Sequence, residues 1–268
     1  MWSKLIGHSL GSFVTNLMSS DKCQFISVII KYLMSIQRKF SENHKMSDLM
    51  NENHSLLLVI SRFGLHLGFG NKTVNEVCQI NGIDCVTFLA VVNFLVEENY
   101  EVDNSYENIS IDTVIDYLKN AHSYFLDFKL PSLRKKLLEA VNQPDQNLPY
   151  GLIFMKFFDE YVSEVRKHME YENNTVFQYA KLLASGKKDA NYSIAVFRER
   201  HNEIDSKLEE LKNILIKYYP DKGSNHLLTE VLFDILSCEI DIVSHNKVED
   251  YFFIPAVEAI ERKLNAVG

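Results

Sequence analysis

Residues 235–255 read ILSCEIDIVSHNKVEDYFFIP. Ile235, Cys238, Ile242 and Phe252 recur at helical spacing, and His245 and Glu249 fall on the same face. An apolar stripe of that period is the buried side of an amphipathic helix. The imidazole and the carboxylate therefore point into a core, one turn apart.

Three further segments repeat the theme. His122 stands among Val114, Ile115, Leu118, Phe125 and Leu126. His168 and Glu172 share the stripe of Phe157, Tyr161, Val165 and Val176. His201 falls in register with Ile194, Phe197, Ile204, Leu208 and Leu215. Each segment is long and ends in breakers: about Ile111 to Asn142 before Pro144 and Pro149, Gly151 to Ser185 before Gly186, Asn191 to Tyr219 before Pro220, and Ser224 to Ala266. Four long helices with short connections predict an all-α fold, an up-down-up-down four-helix bundle. Pro131 and Pro255 fall inside the first and last segments, where each should kink its helix or start a new one.

A lone core histidine is ordinarily structural, and one His-x3-Glu pair is weak; His226 and Glu230 form a third such pair, read as coincidence. The repeat is stronger. His122, His168 and Glu172 recur as His201, His245 and Glu249, displaced by 79, 77 and 77 residues. Burying six polar groups without partners costs about 1–3 kcal/mol each, and a shared metal centre removes that cost. Imidazole with carboxylate suits iron, and two carboxylates can bridge two metals. The expected cofactor is two Fe ions per chain, bridged by the two glutamates and by an oxo or hydroxo group. Ferritin-like sites use Glu-x-x-His with more carboxylates, and the inverted order here argues against that class.

Upstream, Thr73 and Glu76 have the form of a capping box opening a helix that Gly82 closes. Residues 99–109 are polar and aperiodic, a linker. The reading divides the chain into an N-terminal extension at 1–40, loosely attached, a small helical domain at 41–105 and the bundle at 106–268. Gly and Pro number only 10 and 5 in 268 residues, which leaves little room for turn-dense β structure. The net charge of −8 disfavours nucleic acid and anionic lipid as partners, since both need clustered Lys and Arg. No run reaches the ~18 apolar residues of a membrane span. Four scattered cysteines, Cys23, Cys78, Cys85 and Cys238, form no disulfide framework, so a cytoplasmic location is expected.

Over residues 110–268 the set H122-x45-H168-x3-E172 and H201-x43-H245-x3-E249 resembles the hemerythrin-like di-iron domain of the Repair of Iron Centers (YtfE/ScdA-type) proteins. HNKVEDYFFIP at 245–255 resembles that family's last ligand helix. The oxygen-carrying hemerythrins differ: they place a second histidine four residues after the third-helix one, where this chain has Asp205. They also end in His-x4-Asp, which makes Asp250 a rival to Glu249. Glu164, one turn before His168, reads either as a proton-handling residue behind the ligands or as a solvated acid. FGLHLGFGNKTVNEVC at 63–78 resembles the small N-terminal domain of the same family, whose adjacent cysteines would fall at Gly68 and Phe69. Residues 68–70 should instead form a turn. The resemblance implies protection or repair of iron–sulfur clusters after nitrosative or oxidative damage, with NO or O2 as small-molecule partner and damaged iron–sulfur proteins as clients. Any NO- or O2-reducing activity is left open, as is a homodimer. The alternative is a non-catalytic hemerythrin-like protein that binds or senses O2 or NO.

Overall fold

The computed structural model describes residues 40–96, 108–141, 149–189, 191–200, 205–218 and 226–267. The chain divides into two units, Met1–Ser41 and Glu42–Gly268, and every described helix belongs to the second. The expectation of a loose extension lies outside the described residues, apart from Phe40.

Among the described residues four short helices come first: α1 (Met46–Glu52), α2 (Leu56–Arg62), α3 (Val74–Asn81) and α4 (Cys85–Val96). Thr73 accepts from the Glu76 amide while the Glu76 side chain accepts from the Thr73 amide, and Gly82 closes α3 at φ 67°. This is the capping box and left-handed cap expected from the sequence. Gly68 and Gly70 also take positive φ, and a turn forms at 70–71.

The four long segments form the bundle. The first arm is α5 (Ile111–Ser123), a π turn π1 (Tyr124–Lys129) and α6 (Leu130–Val141). The second is α7 (Pro149–Tyr171), π2 (Glu172–Val176) and α8 (Phe177–Ala184). The third comprises α9 (Ile194–Arg200) and α10 (Asp205–Tyr218), and the fourth is α11 (His226–Val248), π3 (Glu249–Phe253) and α12 (Ile254–Val267). Pro149 opens α7, where its missing N–H costs no helical bond. Pro131 and Pro255 each come just after a π turn. The wider turn accommodates the proline ring and its absent donor, so the arm continues.

One half of the bundle closes around α6, α7, α10 and α11, each packed on two of the others. Its core holds Leu130, Leu137, Phe154, Phe158, Leu211 and Ile235. In the other half α8 packs on both α5 and α12, and α9 on α12. The π turns lie between the halves. Among the described residues there is no strand and no helix long and apolar enough to cross a membrane.

The short helices pack on the first arm, α2 and α4 both against α5. Arg62 of α2 is 3% exposed and pairs with Asp241 of α11 at 2.6 Å. Its guanidinium lies 5.9, 6.0 and 5.3 Å from the ring centres of Tyr117, Tyr124 and Phe125. Asn120 donates to the Arg62 carbonyl at 2.8 Å. A buried ion pair thus ties the N-terminal helices to the first and fourth arms.

Candidate metal centre

Three arms deliver donor groups to one point. His122 lies at the end of α5, Glu172 opens π2, and His245 and Glu249 straddle the junction of α11 with π3. A π turn inserts one extra residue and so rotates the downstream side chains by roughly 100° about the helix axis. Both glutamates begin such a turn.

His122, Glu172, His245 and Glu249 are all buried, with one ligand atom from each lying within 4.8 Å of all the others. His122 Nε2 is 3.2 Å from His245 Nε2 and 3.1 Å from Glu172 Oε2. His245 Nε2 is 3.3 Å from Glu249 Oε1. His168 joins from the second arm, its Nε2 2.6 Å from Glu172 Oε1. Neither Glu172 oxygen meets a donor in hydrogen-bonding geometry, although imidazole nitrogens stand close to both. Ligand-type atoms from four side chains thus crowd one point, as ligands around a shared cation do. Two imidazoles facing two carboxylates in a buried interior are a donor set that fits iron.

The local electrostatics agree. Burial and the Glu249 charge push the Glu172 carboxyl up, but His122 and His168 outweigh both and hold it below its ordinary value. Burial pushes the His245 imidazole down, against the pull of Glu249, which keeps its nitrogens available as donors. His122 Nδ1 lies 3.1 Å from Asn173 Oδ1. A proton on Nδ1 donated to that amide leaves Nε2 with a free lone pair facing the cluster.

Phenylalanines wall the centre. His122 stacks on Phe177 at 5.6 Å and Phe125 meets His245 edge-on at 6.2 Å. His168 stacks on Phe197 at 6.4 Å, and Phe253 contacts both Phe177 and Phe197. His168 is the most open of these histidines, 20% exposed.

Of the residues singled out from the sequence, His122, Glu172, His245 and Glu249 come together, with His168 beside them. His201 lies outside the described residues. Asp250 is exposed on π3 whereas Glu249 is fully buried in the cluster. Glu164 is half-buried one turn before His168. His226 and Glu230 are exposed at the start of α11, away from the centre. Sequence reasoning passed over Asn173, Phe177 and Phe253. Asn173 comes directly after Glu172, yet no periodicity marks it, because its role depends on where the π turn aims it.

A bundle whose arms converge buried histidines and glutamates on one point defines a helical cation-binding protein. The family model of the hemerythrin HHE cation binding domain matches residues 113–257. The chain belongs to that family. No curated protein sequence matches it.

Proposed function

We propose that His122, His168, Glu172, His201, His245 and Glu249 would hold two irons, and that the protein uses this centre to protect or repair iron–sulfur clusters damaged by nitrosative or oxidative stress. The buried four-residue convergence within 4.8 Å carries the metal part of this reading. The repair part rests on the resemblance of the six-residue pattern to the Repair of Iron Centers proteins. When bound, a di-iron centre supplies redox chemistry and an open site for NO or O2, and its iron can be passed to a damaged cluster.

The chain's own groups set the conditions for that chemistry. Asn173 holds the His122 proton on Nδ1. Phe125, Phe177, Phe197 and Phe253 exclude water and so strengthen every charge interaction inside. His168, 20% exposed, is the most open of the described ligands, so a small molecule would reach the centre on its side, and Glu164, one turn before it, would relay protons there. Iron content and the optical spectrum of anaerobically loaded protein test the centre; recovery of a nitrosylated iron–sulfur enzyme in a coupled assay tests repair. A metal-free variant that restores the enzyme fully excludes repair through the centre.

The second reading, reversible binding or sensing of O2 or NO, is favoured by one observation. Arg62 links the N-terminal helices to Asp241, one turn before His245, so a shift of α11 on ligand binding reaches those helices. Stoichiometric, reversible uptake without turnover supports this reading; sustained consumption supports the first.

A further inference from the structure

On the outside of the bundle, α11 carries a second apolar stripe. Phe233, Leu236, Ile240 and Val243 are exposed at 74%, 43%, 69% and 43%. They recur at steps of three, four and three residues, the a/d spacing of a coiled-coil seam. The core residues of the same helix, Ile235, Cys238, Ile242 and His245, lie on the opposite side. Scattered exposed apolar residues need no explanation, but a contiguous stripe marks an interaction surface.

The stripe is also uncharged along its length. Beside its members stand Ser237 and Ser244, whose hydroxyls donate to the Phe233 and Ile240 carbonyls at 2.8 and 2.9 Å. Small side chains turned back on their own helix allow another helix to approach closely. Ile216, 61% exposed, widens the face. It lies one turn after Lys212, which pairs with Glu239 across the α10–α11 contact at 2.8 Å.

We propose that this face pairs with the same face of a second copy of the chain, antiparallel, about a twofold axis at the level of Cys238. In that register Phe233 of one protomer packs on Val243 of its partner, and Leu236 on Ile240. The pattern is self-complementary, as a twofold interface requires.

Charge sets the direction. Exposed Glu230 stands at the N-terminal end of the stripe and exposed Lys247 at its C-terminal end. Antiparallel pairing brings Lys247 of each protomer beside Thr229 and Glu230 of the other, giving two cross-pairs. Parallel pairing sets lysine against lysine and glutamate against glutamate. The seam from Thr229 to Lys247 is about 27 Å long. A seam of one helix face is smaller than the ~800 Å² per partner of a standard interface, so a dimer that depends on concentration is expected.

The test is sedimentation velocity on the full chain from low to high micromolar concentration, with circular dichroism as the folding control. A concentration-dependent dimer is expected, and Ile240→Arg should abolish it without loss of helix. Lys247→Glu and Glu230→Lys should each weaken dimerisation about tenfold, and the double charge swap should restore it. Ser237→Cys, beside the axis, should cross-link to its own mate on oxidation, whereas Ser244→Cys should not. A monomer at every concentration, a dimer indifferent to Ile240→Arg, or a double swap no better than the single changes overturns the proposal. So does a monomer whose stripe instead binds phosphatidylcholine vesicles, which assigns the face to a lipid surface.

Discussion

Glu172 is fully buried, with imidazoles on both sides and a second carboxylate within the same cluster. Losing such a group removes donor atoms that no neighbour can replace. His122→Ala and Glu172→Leu are each expected to lower bound iron severely while His226→Ala leaves it unchanged, as measured by metal analysis of anaerobically loaded protein. Asn173→Leu should keep the ligands but release the His122 ring, lowering metal affinity roughly 10–100-fold in a competition titration with a chelator. Thiols give a separate residue-scale check. Burial pushes the Cys238 thiol up to about 12, and burial together with Cys85 raises Cys78 further. Only the thiolate is nucleophilic. Site-resolved mass spectrometry after native alkylation at pH 8 should find both unmodified, and rapid labelling of Cys238 would show that α11 opens readily.

Two contacts decide how the elements hold together. Arg62 and Asp241 form a buried ion pair between α2 and α11. Removing one partner of such a pair typically costs about 3–5 kcal/mol, because the other charge stays buried alone, whereas replacing both by apolar groups is often neutral. Arg62→Met should therefore lower the denaturation midpoint strongly, and the Arg62→Met/Asp241→Leu double variant should recover most of it. Asp234 of α11 receives Lys129 at 2.9 Å and Lys136 at 2.6 Å from the first arm. Burial raises its carboxyl, but Lys136 and Lys129 outweigh burial and hold it below the ordinary 3.8. The charged form is thus favoured in the folded state. Its contribution is complete above pH 3.8 and is lost as pH falls through the lower folded value. Asp234→Asn should cost about 0.5–1 kcal/mol near neutrality, and the difference from the parent should vanish in strong acid. A gap that persists there would assign the effect to packing.

At the scale of the whole molecule, metal binding and folding are linked. A ligand that binds only the folded chain stabilises it by about 2.7 kcal/mol at one hundred times its dissociation constant. Iron loading should raise the melting temperature, while the metal-free chain keeps its helices because the half-bundle around Phe154, Phe158 and Ile235 packs without the cluster. A metal-free protein with no cooperative transition would show that the centre is needed to fold.

The helical class, the four arms, the capping box at Thr73 and the inward placement of His122, Glu172, His245 and Glu249 were legible because they rest on local rules. Helical periodicity, breakers and capping are properties of neighbouring residues, and the offsets of 79, 77 and 77 residues pointed to a repeated ligand pattern without any geometry. Other features were decided only in three dimensions. Glu249 and Asp250 are adjacent in the chain, and the π turn, whose register depends on packing, buries one and exposes the other. Arg62 reads as an ordinary surface cation until α2 docks and Asp241 stands 179 positions away to receive it. The outer stripe of α11 is indistinguishable from core in the sequence, since apolar residues line both faces of that helix. Only the placement of the other three arms selects which face is covered, because burial is a property of what packs against a helix and not of the helix itself.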